Sequence, residues 1–405
     1  MNASEKRSRG IYLAILCVLT YGVVYLCRIN ISAAVEKMAA GFGTSVAAVG
    51  IFGSLQSLIY ACGQFVNGYF INRGKSRIII GVAAFGSGLV NLLMGLVDGF
   101  VPALILWCIN AYLQSLFWGA IIRTLSTYPE SKSSRTLMWL ILIIPIFTII
   151  SWSVIGGALD KVNDWHPYFM IPGIILLLFA PLWLSLHKVC PEADSLQAEQ
   201  EKRSVREMFR YFLENGVVRH CVVSLIHGAI SGGVFFWAPV MISRILTGTD
   251  LSPYLMAAII PFIKIPSSLL LPVVTGKHDY RRLLQALFGG IAVLCMASLL
   301  FSHGSNLLFL ILIILMTFLS NLIGSLMSLY VPLEYSDDNM GAPVAGVLDA
   351  VIYIGSSIST YLLGSIISSN DLNGAVVIWL IAASAAFFAE LKTGFRFQGS
   401  GVREK

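Results

Sequence analysis

Along its 405 residues the chain alternates long apolar runs with short charged or glycine- and proline-rich joints. The runs fall near residues 11–36, 46–71, 78–97, 101–127, 136–159, 167–187, 220–243, 252–275, 283–302, 306–332, 342–368 and 373–391. A helix needs about 20 mostly apolar residues to cross a bilayer. Twelve such runs predict an all-α, polytopic membrane protein with no room for a separate soluble domain.

The longest polar stretch, residues 188–215, lies between the sixth and seventh runs and holds the mixed-charge sequence Glu199-Gln-Glu-Lys-Arg203. It divides the chain into six-helix halves, 1–187 and 216–391, with a tail at 392–405. A weak internal echo supports the division. Asn72-Arg-Gly-Lys-Ser-Arg77 follows the second run, and Gly276-Lys-His-Asp-Tyr-Arg-Arg282 follows the eighth. Two similar halves around a midplane cavity are the architecture of many secondary transporters.

Composition agrees. The chain is 57% hydrophobic and 12% charged, about half the charged fraction of a soluble domain. Of the 27 lysines and arginines, 21 fall on the side of the N-terminus and three, Lys37, Lys161 and Arg244, on the other. The positive-inside rule then places both termini in the cytoplasm of a cell (inner) membrane, which requires an even number of spans. Because the net charge of +6 is spread over short loops, it does not indicate nucleic acid. The basic N-terminus precedes a long apolar run without a small-residue cleavage site, so it reads as a retained first span. The seven cysteines show no metal-type spacing and read as reduced packing residues. The chain has no Walker glycine-lysine motif, nucleophile elbow or zinc pattern, which argues against an ATP-driven pump and an intramembrane hydrolase. No enzyme activity, metal or cofactor is expected.

The three remaining basic residues, Arg28, Arg123 and Lys264, lie within spans or near their ends. Arg28 is deep inside the first. Arginine at that depth costs roughly 3 kcal/mol or more and faces a cavity or a partner; its fork of donors suits phosphate or carboxylate. Arg123, near the end of the fourth span, reads as snorkelling to the headgroups. Tyr21, Tyr25, Gln56, Tyr60, Gln114 and Trp118 either line a cavity or pack between helices. Asp349 in the eleventh span is either a proton carrier or a structural charge.

Several motifs carry a resemblance. Gly68-Tyr-Phe-Ile-Asn72-Arg73-Gly74-Lys-Ser-Arg77 resembles the major-facilitator loop signature, with Asn72 where that family usually has aspartate; the expected conformational latch is correspondingly weaker. Tyr25-Leu-Cys-Arg28-Ile-Asn30 resembles the first-helix motif of the organophosphate:phosphate antiporters, which include glycerol-3-phosphate and hexose-phosphate transporters. Gln114-Ser-Leu-Phe-Trp118, Asn163-Asp-Trp-His166 and Trp237-Ala-Pro239 add further matches. The resemblance implies a major-facilitator fold, a small anionic solute such as an organophosphate, and inorganic phosphate or a proton as coupling species. One departure matters: the second phosphate-clamping arginine of that family falls at Ser231 here. His227, one turn earlier, or proline-flanked Lys264 could supply the missing positive charge. For Lys264 the alternative is an ion pair with Asp349; for His227 it is ordinary packing. The family also contains transporter-like sugar-phosphate sensors, so a sensor is one rival reading. A proton-coupled carrier or exporter of another metabolite is the other.

Overall fold

The computed structural model describes residues 3–71, 75–125, 134–186, 205–247, 250–275, 280–301, 306–335, 338, 340–369 and 371–392. The described residues form helices joined by short turns: α1 (Ala3–Gly41), α2 (Val46–Ile71), α3 (Ser76–Met94), α4 (Phe100–Leu125), α5 (Ser134–Ile149), α6 (Pro167–Leu186), α7 (Val205–Glu214), α8 (Val217–Ile245), α9 (Pro253–Ala257), α10 (Ile259–Thr275), α11 (Tyr280–Phe301), α12 (Asn306–Ser325), α13 (Val331–Leu333), α14 (Gly341–Ser368) and α15 (Leu372–Lys392). Twelve stretches among them are long and apolar enough to cross a membrane, and they coincide with the twelve apolar runs. Successive crossings alternate in direction, so the bundle has a near side, that of the N-terminus, and a far side.

Prolines explain the interruptions. Proline removes a backbone donor and clashes with the carbonyl four residues earlier. From Pro261 that carbonyl belongs to Ala257, where α9 ends and α10 begins one residue on. From Pro332 it belongs to Ser328, inside a π-helical turn spanning Leu326–Tyr330. A second π turn, Ile150–Gly156, continues α5 beyond Pro145. α7 lies within the polar linker, so that linker is partly helical, and Gly216, at φ 74°, turns the chain from α7 into α8.

Small residues set the closest helix approach. A Cβ on Gly355 would lie 2.1 Å from the carbonyl oxygen of Leu225, and one on Gly228 would lie 2.0 Å from that of Ile352. Hence α8 and α14 touch backbone to backbone.

Two apolar clusters fill the bundle. One collects near-side ends of α1, α3, α4, α5 and α6, from Leu13 to Trp183. The other runs through α8 to α15 and draws in residues from the far-side ends of the first six spans, among them Ile31, Val35, Met38, Phe52, Trp107 and Trp165. The early and late helices therefore share one core on the far side.

Candidate functional site

Arg28 lies well inside α1 and is 7% exposed. Its guanidinium carbon stands 4.0 Å from the ring centre of Tyr60 on α2, 5.0 Å from Tyr353 on α14 and 5.1 Å from Tyr25. None of the ion pairs among the described residues includes Arg28. Its charge is held by aromatic faces instead. At about 0.5 to 2 kcal/mol per cation–π contact, three rings offset an insertion cost of roughly 3 kcal/mol while leaving the arginine without a carboxylate partner. Gln56 fixes the backbone here, donating to the Arg28 carbonyl at 2.8 Å. Tyr21 packs edge-on to Tyr25 at 5.3 Å and against Trp118 at 5.5 Å, extending the aromatic wall.

Tyr60 and Tyr353 are one rung of a ladder between antiparallel α2 and α14. Gln64 donates to Asp349 at 2.6 Å; the Tyr60 and Tyr353 rings meet at 4.4 Å; Ser57 and Ser356 share a hydrogen bond at 3.3 Å; and Ser54 donates to the Ser357 carbonyl at 2.9 Å. One turn on, Trp237 of α8 donates to the Thr360 carbonyl at 3.0 Å. Sequence reasoning overlooked Gln64, Tyr353 and the serines. The available signal was that residues 64, 60 and 57 of one span and 349, 353 and 356 of another repeat the same helical spacing in opposite directions.

A second group lines a cavity of about 80 Å³ among α8, α10 and α12. His227 is buried, 3.4 Å from the Ser231 hydroxyl and 3.3 Å from that of Ser320. Gly324 makes room for it, since a Cβ there would lie 2.6 Å from His227 Nε2. The Lys264 ammonium sits 3.8 Å from the centre of the Phe235 ring, and Asn321 donates to the Lys264 carbonyl and the Ser268 hydroxyl. Phe235 in turn packs on Trp152 at 5.1 Å. The expected alternative for Lys264 does not form: Asp349 is joined to Gln64 of α2, and no Lys264–Asp349 ion pair exists among the described residues.

Other candidates fall elsewhere. Gln114 is 1% exposed and donates to Ser87 at 2.9 Å, within an amide network that includes Asn91 and Asn110. Its Nε2 also reaches the Val24 carbonyl at 3.4 Å while its Oε1 has no hydrogen-bond partner, so Gln114 ties α4 to α3 and α1. Arg123 lies in the last turn of α4. Of the loop signature, Gly68 falls in the last turn of α2, and Arg77 opens α3, its carbonyl accepting from Trp183 at 3.1 Å. Asn72, Arg73 and Gly74 lie outside the described residues.

Hydrogen bonds tie early and late helices together on the far side. The Tyr254 hydroxyl donates to the Ala33 carbonyl at 3.3 Å and receives a hydrogen bond from Tyr168 at 3.1 Å, while Ser153 donates to the Tyr254 carbonyl at 2.9 Å. The Lys37 ammonium donates to the carbonyls of Leu159, Asp160 and Val162. The Asp-Trp-His motif is structural: Asp164 Oδ1 accepts from the His166 backbone and ring, and Trp165 packs at a tilt on Phe42 at 5.0 Å. Burial acts to raise the Asp164 carboxyl, but the hydrogen bonds and charge of His166 outweigh it and hold the carboxyl below its ordinary value. Six cysteines among the described residues are free, and no cluster there could hold a metal.

Known proteins share this architecture. The D-xylose-proton symporter structure superposes with a TM-score of 0.77 at 13% identity, covering 95% of this chain and 97% of that one. A structure of the nucleoside transporter NupG gives 0.70 at 12% identity, covering 95% and 97%. In sequence the chain is 26% identical to a probable hexose phosphate transport protein of Chlamydia trachomatis over 46% of this chain and 41% of the relative. It is 27% identical to the membrane sensor protein UhpC of Escherichia coli over 46% and 42%. The glycerol-3-phosphate transporter of Haemophilus influenzae is 23% identical over 56% and 54%. The chain thus aligns with about half the length of these relatives or less. Residues 17–360 match the family described as the Major Facilitator Superfamily, and with twelve membrane-crossing stretches and the shared fold, the chain belongs to that superfamily.

Proposed function

We propose that the protein is a secondary active transporter of a small anionic solute, an organophosphate or phosphate, working by alternating access between residues 1–187 and 216–391 joined through the 188–215 linker. The observation that carries this reading is Arg28: a permanent positive charge inside the bundle, cradled by ring faces and without an ion-pair partner among the described residues. A dianion offers it the bidentate partner that ring faces do not. In this reading Lys264 or His227, which line one cavity with Ser231, supplies the second contact in place of the absent arginine. Lysine there acts as a point charge rather than a fork. The relatives named for hexose phosphate and glycerol-3-phosphate support the same solute class.

The shared far-side core supports a state closed on that side, and the α2–α14 ladder is the seam along which the two groups of helices would part. The test is uptake of labelled phosphate and glucose 6-phosphate into proteoliposomes loaded with unlabelled phosphate. Saturable exchange in the native protein that collapses in Arg28→Lys supports the reading. No exchange by folded native protein overturns it. A sensor is the second reading, favoured by the likeness to the membrane sensor protein UhpC. It predicts Arg28-dependent binding of glucose 6-phosphate without uptake.

A further inference from the structure

The ladder contains one carboxylate, and its pairing is incomplete. Gln64 Nε2 donates to Asp349 Oδ2 at 2.6 Å, yet the buried Gln64 Oε1 has no hydrogen-bond partner. An ionised carboxylate accepts hydrogen bonds and donates none, whereas a carboxamide both donates and accepts. Against ionised Asp349, then, Gln64 makes one bond and its oxygen stays without a partner, as do the buried amide oxygens of Asn30, Asn67 and Gln114 among the described residues; what sets Gln64 apart is that its amide already touches a carboxyl group. A proton on Asp349 supplies the missing donor. Asp349 O–H then donates to Gln64 Oε1 while Gln64 Nε2 donates back, giving two parallel bonds between an acid and an amide.

The surroundings narrow what else can act on this carboxyl. From α2 it meets Gln64 and, one turn away, Tyr60; on its own helix the next turn carries Tyr353. Arg28 of α1 is the charged group whose field reaches it. α8 meets α14 through Leu225 and Gly228, with His227 turned to Ser320 and Gly324 of α12. At the near end of α14, Tyr330 faces Tyr280 at 6.1 Å, and Glu334 acts on Tyr280 and Tyr335. α15 carries no titratable residue before Glu390.

We propose that the Asp349–Gln64 pair is a proton-binding site that couples solute movement to a proton, making the protein a proton–anion co-transporter. The proposal rests on Arg28 as the anion site. An ionised Asp349 competes electrostatically with the anion for Arg28, and a proton removes that competition. Proton and anion therefore strengthen each other's binding, and by reciprocity the coupling is the same in both directions. The step is a simple protonation, Asp349 carboxylate plus one proton from the far-side solution giving the neutral acid. The proton leaves to the near side when the ladder opens; no other bond is made or broken.

The experiment uses full-length protein in liposomes containing a pH dye, with labelled glucose 6-phosphate and labelled inorganic phosphate as probes. Counterflow at equal pH is compared with uptake under an inward-directed pH gradient. Native protein is expected to overshoot under the gradient and to acidify the lumen on solute addition. Asp349→Asn, which is neutral and can still pair with Gln64, is expected to keep counterflow and lose both the overshoot and the acidification. Gln64→Met is expected to move the pH of half-maximal gradient-driven uptake, a readout independent of how well the first variant folds. Overshoot retained in Asp349→Asn, uptake by native protein indifferent to the gradient, or an unmoved pH profile in Gln64→Met overturns the coupling while leaving the anion site standing. Absence of native counterflow for both probes removes the anion site and this inference with it.

Discussion

Tyr60 on α2 and Tyr353 on α14 meet ring to ring at 4.4 Å, and the Arg28 guanidinium lies over both faces. The arginine is thus held by early and late helices together. Tyr353→Phe is expected to keep solute affinity within about threefold. Tyr353→Leu, which deletes a face worth about 1 kcal/mol or more, is expected to weaken it by about tenfold, since 1.4 kcal/mol is a factor of ten. Concentration-dependent counterflow separates the two outcomes.

The serine rung offers a direct test of movement along the seam. Ser57 and Ser356 hydroxyls stand 3.3 Å apart, close enough for a cysteine pair to be bridged. Ser57→Cys combined with Ser356→Cys, in a background with the native cysteines replaced, is expected to oxidise readily, abolish transport and regain it on reduction. Full transport by the oxidised double variant would mean that α2 and α14 do not part.

Lys264 stands over Phe235 without an ion-pair partner among the described residues. If it supplies the second positive charge, Lys264→Arg keeps solute affinity and Lys264→Gln lowers it by about tenfold. Counterflow titrations of the two variants decide this, and equal affinity in both would assign Lys264 to packing.

Backbone contact between α8 and α14 leaves no room for a side chain at Gly355. Gly355→Val is expected to destabilise the bundle by about 2 kcal/mol or more, the usual cost of overpacking a tight interface. Thermal unfolding in detergent measures this; Gly346→Ala, at a position with nothing within 4 Å of a Cβ, is the neutral control.

On the far side, the Asp164 carboxyl is held below its ordinary value by His166. A depressed carboxyl adds stability above its unfolded value of about 3.9, and that stability fades as pH falls through the lower folded value. Asp164→Asn is expected to lower the melting temperature at pH 7, and the difference is expected to shrink as pH falls below about 3.9. Because Asp164 is half exposed, the expected effect at neutral pH is small.

By itself the sequence determined the twelve helices and their location in a membrane, because length and apolarity alone make a span. It also singled out Arg28, because a charge at bilayer depth stands out in any apolar run. Tertiary structure decided what each polar residue meets. Lys264 and Asp349 looked like natural partners in one half of the chain, yet Asp349 pairs with Gln64 across the seam and Lys264 lies over Phe235. Gln114 and Trp118 are neighbours in sequence, but one turns into an amide network with Ser87 and the other toward Tyr21. A helix fixes which residues share its face; which other helix lies against that face is set by long-range packing, such as the glycine contact between α8 and α14. That packing, and not any local pattern, carries α14 to both α2 and Arg28.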